Sequence, residues 1–319
     1  MTRRIVYPDA PSSWKALFDD ERITRLKAMG EFSLHVSDSH PEAETLIDRI
    51  GDAEGIISAW GVVNDVLAAL PNLKIISFVG LGAASFFDLT EAARRGITVT
   101  HTLPPGATIA EHTMALMLAA SRKIALRDRE IRQGVWNDLP IFDLKGKTLG
   151  LVGFGRAAQA TVPLAKAFGM KVVAWARSPK AEHVSKYGIE FIALEELLTG
   201  SDVISLHLLL NQETEGFISS ERLRLTKPGV VFVNTARGQL LDETTLIELL
   251  RSGHIGAMAT DVFNEEPLSR DHPFNELDNV VMTPHNAYNT PEFTATLCDM
   301  AIDNLESFFA GNPKNVATG

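Results

Sequence analysis

The strongest constraint on the fold of this chain is a glycine turn at residues 153–155, which stands between an apolar run and a helical segment. The run "KTLGLVGFG" predicts a buried strand, and "RAAQATVPLAKAFG" predicts a helix that begins directly after the turn. In such a turn Gly153 permits the tight bend, Gly155 lets the backbone approach a pyrophosphate, and Ala158 permits close helix–strand packing. With "KVVAWA" as the next strand, the segment is typical of a dinucleotide-binding unit.

The start of the predicted helix is a second reason to expect a bound nucleotide. The N–H groups of a first helical turn have no partner within the helix and attract phosphate charge. Arg156 and Ala157 occupy these first positions. We therefore assign Gly153, Gly155, Arg156 and Ala157 as candidate cofactor-binding residues.

The end of the second strand predicts which nucleotide is preferred. An acidic residue normally stands there, about twenty residues after the glycine turn, and binds the ribose 2′-OH. Here Ala176 takes its place, and Arg177 and Ser178 follow. Without the acid a 2′-phosphate is not repelled, and an arginine donates charge-assisted hydrogen bonds to it. This favours NADP(H), with NAD(H) as the second choice; the alternative is that Arg177 is a solvated loop residue.

Strands and helices alternate along the rest of the chain as well. Predicted strands before residue 105 are "RRIVY", "FSLHVS", "AEGIISA", "LKIISFVG" and "GITVTHT"; after the glycine turn they include "SDVISLHLL", "GVVFVNTA", "GAMATDVF" and "NVVMTPH". Such alternation predicts α/β domains with parallel sheets that helices cover on both faces. The 319 residues suit two domains, and no Pro/Gly-rich linker separates them.

Charge and composition exclude several functional classes. A net charge of −10 argues against a general nucleic-acid or membrane-surface role, and no apolar stretch is long enough to span a bilayer. The single cysteine, Cys298, allows neither an internal disulfide nor a cysteine-based metal site, and we expect no metal. No signal peptide is visible at the N-terminus, so we expect a cytoplasmic protein.

Three segments that follow predicted strands carry residues suited to chemistry: "VNTARGQLLDE", "ATDVFNEEPL" and "TPHNAYNT". Open parallel sheets place ligand-contacting residues at such strand ends. His285 is the natural proton carrier near neutral pH, and a carboxylate such as Glu266 paired with it fixes its tautomer. Arg237 has the planar guanidinium that binds a carboxylate through two hydrogen bonds. Together these groups suit hydride transfer to or from a 2-hydroxy acid. His112 and His207, on an apolar helix and a buried strand, are interpreted as structural.

These segments resemble the D-isomer-specific 2-hydroxyacid dehydrogenase family over essentially the whole chain. The resemblance implies that Arg237 binds the substrate, that His285 is the general acid/base and that Glu266 supports the histidine. Glu265, one residue earlier, competes for that last role. The similar segments are, in order, "VGLG" (79–82), "ATIAEHTMALMLA" (107–119), "LVGFGRAA" (151–158), "SDVISLHLLL" (201–210), "GVVFVNTARGQLLDE" (229–243), "DVFNEEPL" (261–268) and "TPHNAYNT" (283–290).

The resemblance also implies how the cofactor and the substrate are held. Asp261, together with backbone near Thr235 and Ala236, is expected to contact the nicotinamide carboxamide. Backbone amides near Leu81 and Gly82 are expected to hold the substrate carboxylate. Backbone groups are thus expected to share the binding of both molecules.

For the fold, the resemblance implies two Rossmann-like doubly wound parallel-sheet domains with an interdomain cleft. Residues 1–100 and 289–319 are expected to form a flavodoxin-like substrate domain, and residues 101–288 the dinucleotide-binding Rossmann domain. A long helix at 108–131, with the loop after it, is expected to form a homodimer interface. The expected partners are therefore a second copy of the chain and a small 2-oxo or 2-hydroxy acid.

Several residues depart from the family pattern. Leu209 stands in place of the usual proline in "HLLLNQET", and the "VGLG" loop is one residue longer and carries Phe86 and Phe87. Trp60 stands at a strand end that has no arginine or lysine. A phosphate-bearing substrate would need a second cation there, so such a substrate is disfavoured and Trp60 is a candidate substrate-binding residue.

The basic strand end at residues 176–178 indicates a subgroup, because NADP-preferring glyoxylate/hydroxypyruvate reductases of this family show the same pattern. Two alternatives stay open. One is a D-lactate-type or bulkier 2-ketoacid reductase that uses NADH, since Trp60, Phe86 and Phe87 would line an apolar pocket. The other is a nucleotide-sensing interaction protein on the same fold.

Overall fold

The computed structural model describes residues 2–138 and 140–318. The chain divides into two compact units, and it crosses from one unit to the other between residues 104 and 105 and again between residues 288 and 289. The first unit is Met1–Pro104 with Asn289–Gly319, and the second is Pro105–Tyr288. Because the chain leaves the first unit and later returns to it, the first unit is built from two separate stretches of sequence and the second from one continuous stretch.

The strands, in chain order, are β1 (Arg4–Ala10), β2 (Glu31–Val36), β3 (Gly55–Ser58), β4 (Ile75–Phe78), β5 (Thr98–His101), β6 (Thr148–Val152), β7 (Lys171–Trp175), β8 (Glu190–Phe191), β9 (Val203–Leu206), β10 (Val230–Asn234), β11 (Ile255–Thr260) and β12 (Val280–Met282). The helices are α1 (Asp20–Met29), α2 (Ala43–Ile50), α3 (Asn64–Ala68), α4 (Leu89–Arg94), α5 (Ala107–Ser121), α6 (Ile124–Arg132), α7 (Arg156–Ala167), α8 (Ala181–Tyr187), α9 (Leu194–Gly200), α10 (Ser220–Arg224), α11 (Glu243–Ser252) and α12 (Pro291–Phe309).

The sheet of the first unit is parallel, with strand order β2-β1-β3-β4-β5. This is the flavodoxin-like order. Consecutive side chains of a strand point to opposite faces, and here both faces are buried. On β3, for example, Ile56 packs in one core and Ile57 in the other. The apolar strand sequences therefore follow from a sheet that helices cover on both sides.

The sheet of the second unit is also parallel, with order β12-β11-β10-β9-β6-β7-β8. Its two faces are buried in the same way, since Leu151 and Val152 of β6 pack in separate cores. The strand order reverses between β6 and β9, and ligands of open α/β sheets bind at such a reversal. The prediction of two doubly wound parallel-sheet α/β domains is confirmed.

The predicted long helix at 108–131 is interrupted, and so is the helical segment at residues 12–29. The segment at residues 12–29 is a 3₁₀ turn, Ser12–Leu17, followed by α1, because the Asp19 side chain caps α1 by accepting the Arg22 N–H at 3.0 Å. The long segment after residue 107 is divided into α5 and α6, with Lys123 in the left-handed region at φ 52°. None of the described helices is long and apolar enough to cross a membrane.

The glycine turn joins β6 to α7 at the point of strand-order reversal. Gly153 has φ 93°, and a Cβ there would lie 2.6 Å from the carbonyl oxygen of His207, directly after β9. An L-residue is therefore excluded both by its backbone conformation and by space. Gly155, by contrast, has a negative φ, and a Cβ there would meet nothing within 4 Å among the described atoms.

We expect the substitution Gly153→Ala to destabilise the second unit, whereas Gly155→Ala leaves its stability nearly unchanged. The clash with the His207 carbonyl and the positive φ should together cost about 1–3 kcal/mol, seen as a lower thermal unfolding midpoint. Gly155→Ala is the matched control, with the same added methyl group two residues away. Equal unfolding midpoints for the two variants would contradict the steric argument.

Candidate active site

The carboxyl ends of β11 and β12 bring together two of the predicted catalytic residues. Glu266 lies in the loop after β11, and His285 lies three residues after β12, which is the neighbouring strand. Nδ1 of His285 and Oε2 of Glu266 are 2.6 Å apart. The two side chains are 36% and 35% exposed, so the pair is accessible to a ligand while partly shielded from water.

The Glu266 carboxylate is held by a second hydrogen bond, because its Oε1 accepts the Phe263 N–H at 2.9 Å. Burial alone would raise the pKa of Glu266. The hydrogen bonds from His285 and Phe263, with the charges of His285 and Arg237, outweigh burial and hold that pKa below its ordinary value. Glu266 is therefore a carboxylate at neutral pH. Glu265, the competitor from the sequence, is exposed and forms no ion pair with any described residue.

The backbone at His285 has the left-handed conformation, with φ 49°, that residues other than glycine rarely adopt. The His285 N–H donates to the Thr283 carbonyl at 3.1 Å, which closes a tight turn. Since Nδ1 faces the Glu266 carboxylate, Nδ1 carries the hydrogen of that bond. The other ring nitrogen, Nε2, makes no hydrogen bond to the described residues and is the atom suited to proton exchange with a ligand.

A buried carboxylate, that of Asp261, holds the loop that carries His285. Asp261 is 1% exposed; its Oδ1 accepts the Asn286 N–H at 3.0 Å and its Oδ2 accepts the Ala287 N–H at 2.9 Å. The Thr283 hydroxyl donates to Oδ1 at 2.6 Å. Both oxygens thus bind protein groups on either side of His285, in addition to any contact with the cofactor that the resemblance implies.

His112 of α5 joins this network. Its Nε2 lies 3.0 Å from the Thr283 hydroxyl oxygen and 3.5 Å from Oδ1 of Asp261. Burial would raise the pKa of Asp261, but its hydrogen bonds, first that from His112 and then those from Thr283 and the two amides, lower it. The sequence indicated a structural histidine on an apolar helix. The fold places that histidine against the loop that carries His285, a contact that no local pattern signals.

Arg237 lies after β10 in a turn that a second buried polar residue orders. The Asn234 side chain accepts the Ala236 N–H at 2.9 Å and donates to the Arg237 carbonyl at 2.8 Å. Arg237 is half-buried, and burial lowers its pKa from the ordinary value while the charge of Glu266 opposes that shift. Its guanidinium forms no ion pair with the described residues, only a 2.6 Å bond from Nη1 to the Ala236 carbonyl. Thr235, beside it, has its hydroxyl 3.1 Å from that of Thr113.

The predicted phosphate-binding turn lies at the start of α7. Gly155 is the residue before α7, no side chain caps that helix start, and its first turn carries no acidic residue. Arg156 and Ala157 are the first two residues of the helix. An uncapped helix N-terminus with open space at Gly155 therefore fits the phosphates of a dinucleotide.

The residues predicted to choose between cofactors lie directly after β7. Arg177 and Ser178 are exposed, and Ala176 is half-buried against the core below them. The Nη1 atom of Arg177 forms an exposed ion pair with Oε2 of Glu213, in the turn after β9. No sequence pattern signals this acidic partner, which lies far from Arg177 along the chain.

In the first unit, the predicted substrate-binding residues lie after β3 and β4. The buried Asp9 carboxylate accepts the Trp60 N–H at 3.1 Å and the Ala59 N–H at 3.1 Å, which fixes the turn at Trp60. Trp60 and Leu81 are 39% and 42% exposed, and Gly82 has φ 72°. Asp9 itself was missed, since a single aspartate in an apolar strand carries no sequence signature.

Two other groups in the described residues are unsuited to proton transfer near neutral pH. Burial lowers the pKa of His207 to about 4, and its Nε2 lies 2.9 Å from the Ser205 hydroxyl. Burial raises the pKa of the Cys298 thiol to about 12. Within residues 2–138 and 140–318, no group of three or more metal-ligating side chains is positioned to hold a metal ion.

A parallel sheet with an uncapped glycine turn at its reversal point, and a histidine–carboxylate pair at its strand ends, defines the class of nicotinamide-dependent dehydrogenases. The family model described as D-isomer specific 2-hydroxyacid dehydrogenase, NAD binding domain, matches residues 114–287. The chain belongs to the D-isomer-specific 2-hydroxyacid dehydrogenase family and is an oxidoreductase. The resemblance inferred from the sequence is confirmed.

Individual relatives are similar over nearly their full length. A glyoxylate reductase of Korarchaeum cryptofilum is 34% identical over 306 residues, which cover 92% of this chain and 91% of that protein. A hydroxypyruvate reductase of Blautia hydrogenotrophica is 33% identical over 303 residues, covering 91% and 93%. The solved structure of an acyclic imino acid reductase, Bsp5, in complex with NADPH and D-Arg has a TM-score of 0.86 and 29% identity, covering 98% of this chain and 99% of that one.

The ionised Glu266 carboxylate should stabilise the folded protein in a pH-dependent way. Its pKa in the folded state is below the ordinary 4.5, so its contribution is fully present above pH 4.5 and is lost as pH falls through the folded-state pKa. We expect Glu266→Gln to lower the thermal unfolding midpoint at pH 6 and to have a shrinking effect below pH 4.5. Glu265→Gln, which removes the same charge beside it, should show no such trend; a pH-independent effect of Glu266→Gln would contradict the assignment.

Proposed function

We propose that this protein is a reductase of small 2-oxo acids, such as glyoxylate or hydroxypyruvate, that prefers NADPH to NADH. The observation that carries the proposal is the 2.6 Å contact between His285 and Glu266 at the strand ends of a dinucleotide-binding unit. The relatives named above as glyoxylate and hydroxypyruvate reductases support the substrate class.

The proposed chemistry divides between the cofactor and the chain. A bound nicotinamide dinucleotide supplies the hydride that C2 of the 2-oxo acid accepts. His285 donates a proton from Nε2 to the carbonyl oxygen, which becomes the hydroxyl of the product. Glu266 fixes the tautomer of His285 and stabilises its charged form before the transfer, and Arg237 binds the substrate carboxylate.

The chain offers distinct groups to the cofactor and to the substrate. Gly153, Gly155, Arg156 and Ala157 are proposed to hold the pyrophosphate, with Thr235, Ala236 and Asp261 at the nicotinamide end. For the substrate, the proposed groups of the first unit are the Leu81 and Gly82 amides and the Trp60 side chain. Trp60 brings no charge, which suits a small uncharged substituent on the 2-oxo acid better than a phosphate.

The NADPH preference is proposed from the end of β7, where Ala176 cannot repel a 2′-phosphate and Arg177 and Ser178 can bind it. The similar imino acid reductase structure holds NADPH, which agrees with this proposal. NADH is the alternative cofactor, as for a D-lactate-type reductase.

We also propose a homodimer formed through α6 and the loop after it, the C-terminal part of the 108–131 region. α6 has no buried residue, and its Ile124 and Ile131 are exposed, as are Val135 and Trp136, the last by 89%. Exposed apolar side chains this close together in the sequence are typical of an interface.

The double variant Trp136→Asp/Ile131→Asp should be a monomer in light scattering, because the charges would disrupt the apolar interface. Val184→Asp, on α8, is the control and should leave the dimer intact. A monomeric wild type would refute the proposal.

Replacement of His285 should remove proton transfer and leave the cofactor site intact. We expect His285→Ala to lower kcat by roughly 10²–10⁴-fold with little change in the NADPH dissociation constant. His254→Ala is a suitable control, because His254 precedes β11 and lies at the opposite edge of the same sheet. Near-normal turnover by His285→Ala would contradict its role as general acid.

A substrate-by-cofactor assay tests the proposal as a whole. Glyoxylate, hydroxypyruvate and pyruvate should each be assayed with NADPH and with NADH, using the wild type and Arg177→Gln. We expect the highest kcat/KM with glyoxylate or hydroxypyruvate and NADPH, and a selective loss of NADPH affinity of about ten- to a hundredfold in Arg177→Gln. Preference for pyruvate with NADH would favour the D-lactate-type alternative. Tight nucleotide binding without turnover of any 2-oxo acid would favour a nucleotide sensor.

A further inference from the structure

Arg177 and Glu213 form an ion pair across the predicted nucleotide site. Arg177 follows β7, Glu213 lies in the turn after β9, and β6 runs between these two strands in the sheet. The glycine turn at the end of β6 therefore stands between the ends of the strands that carry the pair. The ion pair connects the two sides of the place where the adenosine half of a dinucleotide would bind.

The turn that carries Glu213 is well fixed by hydrogen bonds. The Asn211 side-chain oxygen accepts the N–H of Glu213 at 2.9 Å and that of Thr214 at 3.1 Å. The Thr214 hydroxyl donates to the Leu209 carbonyl at 2.6 Å. Glu213 thus projects from an ordered backbone, in a segment where Leu209 departs from the family's proline.

Resting on the proposed NADPH preference, we propose that Glu213 is a specificity-determining residue that competes with the 2′-phosphate of NADPH for Arg177. In the structure the guanidinium is already paired with a carboxylate, so a phosphate must displace Glu213 or share Arg177 with it. Glu213 then also lies close to the phosphate and repels it. NADH, which has a 2′-hydroxyl in this position, leaves the pair intact.

The exposure of the pair makes this competition reversible. The side chains of Arg177 and Glu213 are 76% and 70% exposed, and ion pairs this exposed are weak. A phosphate that carries more than one negative charge can therefore replace Glu213, at some loss of affinity. Ala176 removes the acidic residue that would repel NADPH from the end of β7. Glu213, in the turn after β9, places a carboxylate near the same position, so the chain retains part of the discrimination against NADPH.

The variant Glu213→Gln tests the proposal through dissociation constants, measured by nucleotide fluorescence or calorimetry in the absence of substrate. We expect Glu213→Gln to lower the dissociation constant of NADPH by about two- to fivefold and to change that of NADH by less than about twofold. Glu215→Gln is the matched control: it removes the same charge from the same turn, and Glu215 forms no ion pair with the described residues. The gain should shrink in high salt, which screens exposed charges.

Arg177→Gln and the double variant separate this proposal from the proposed function. If Arg177→Gln weakens NADPH selectively and Glu213→Gln tightens it, with a smaller gain in the double variant, both proposals stand. In a second outcome, Arg177→Gln weakens NADPH binding but Glu213→Gln also weakens it or leaves it unchanged. Glu213 then either positions Arg177 or has no role, so the proposed competition is overturned while the proposed NADPH preference stands. If Arg177→Gln leaves the NADPH dissociation constant unchanged, Arg177 does not bind the 2′-phosphate. The proposed competition is then overturned as well, because any effect of Glu213 must have another origin. If Glu215→Gln tightens NADPH binding as much as Glu213→Gln does, the effect comes from the general negative charge of the turn, and the specific competition at Arg177 is overturned.

Discussion

The arrangement of the proposed catalytic groups in the second unit depends on one buried carboxylate, that of Asp261. It joins the end of β11 to the loop after β12, through the N–H groups of Asn286 and Ala287, and to α5 through His112. A buried charge is costly unless it is hydrogen-bonded, and here the hydrogen bonds lower the pKa of Asp261 in spite of burial. The left-handed backbone at His285 is held between these anchors, which sets the direction of the imidazole toward Glu266.

Parallel strands explain why residues distant in the chain meet. Every β-strand of the second sheet runs in one direction, so the loops after β6, β10, β11 and β12 all emerge at the same edge. The glycine turn, Arg237, Glu266 and His285 each follow one of these strands. The fold supplies a common edge, and the loop sequences supply the side chains that meet there.

At the proposed adenosine end of the nucleotide site, two opposite charges lie close together, and the proposed cofactor preference depends on them. Ala176 and Arg177, after β7, form the pattern that suits a 2′-phosphate, while Glu213 approaches Arg177 from the turn after β9. A pattern confined to one strand end predicts the cation but not its partner. The proposed balance between NADPH and NADH therefore depends on a contact between segments that are neighbours only because β9, β6 and β7 lie side by side.

The sequence by itself determined the α/β class, the glycine turn and the residue types of Arg237, Glu266 and His285, because periodicity and strand-end motifs are local. It did not decide between Glu265 and Glu266; the loop after β11 does, by directing only Glu266 to Nδ1 of His285. Nor did it show the break before α6, the contact of His112 with Thr283, or the pairing of Arg177 with Glu213. These features depend on which strands are neighbours and where each loop turns. Burial and hydrogen bonding fix the distances between such residues only when the whole sheet has formed.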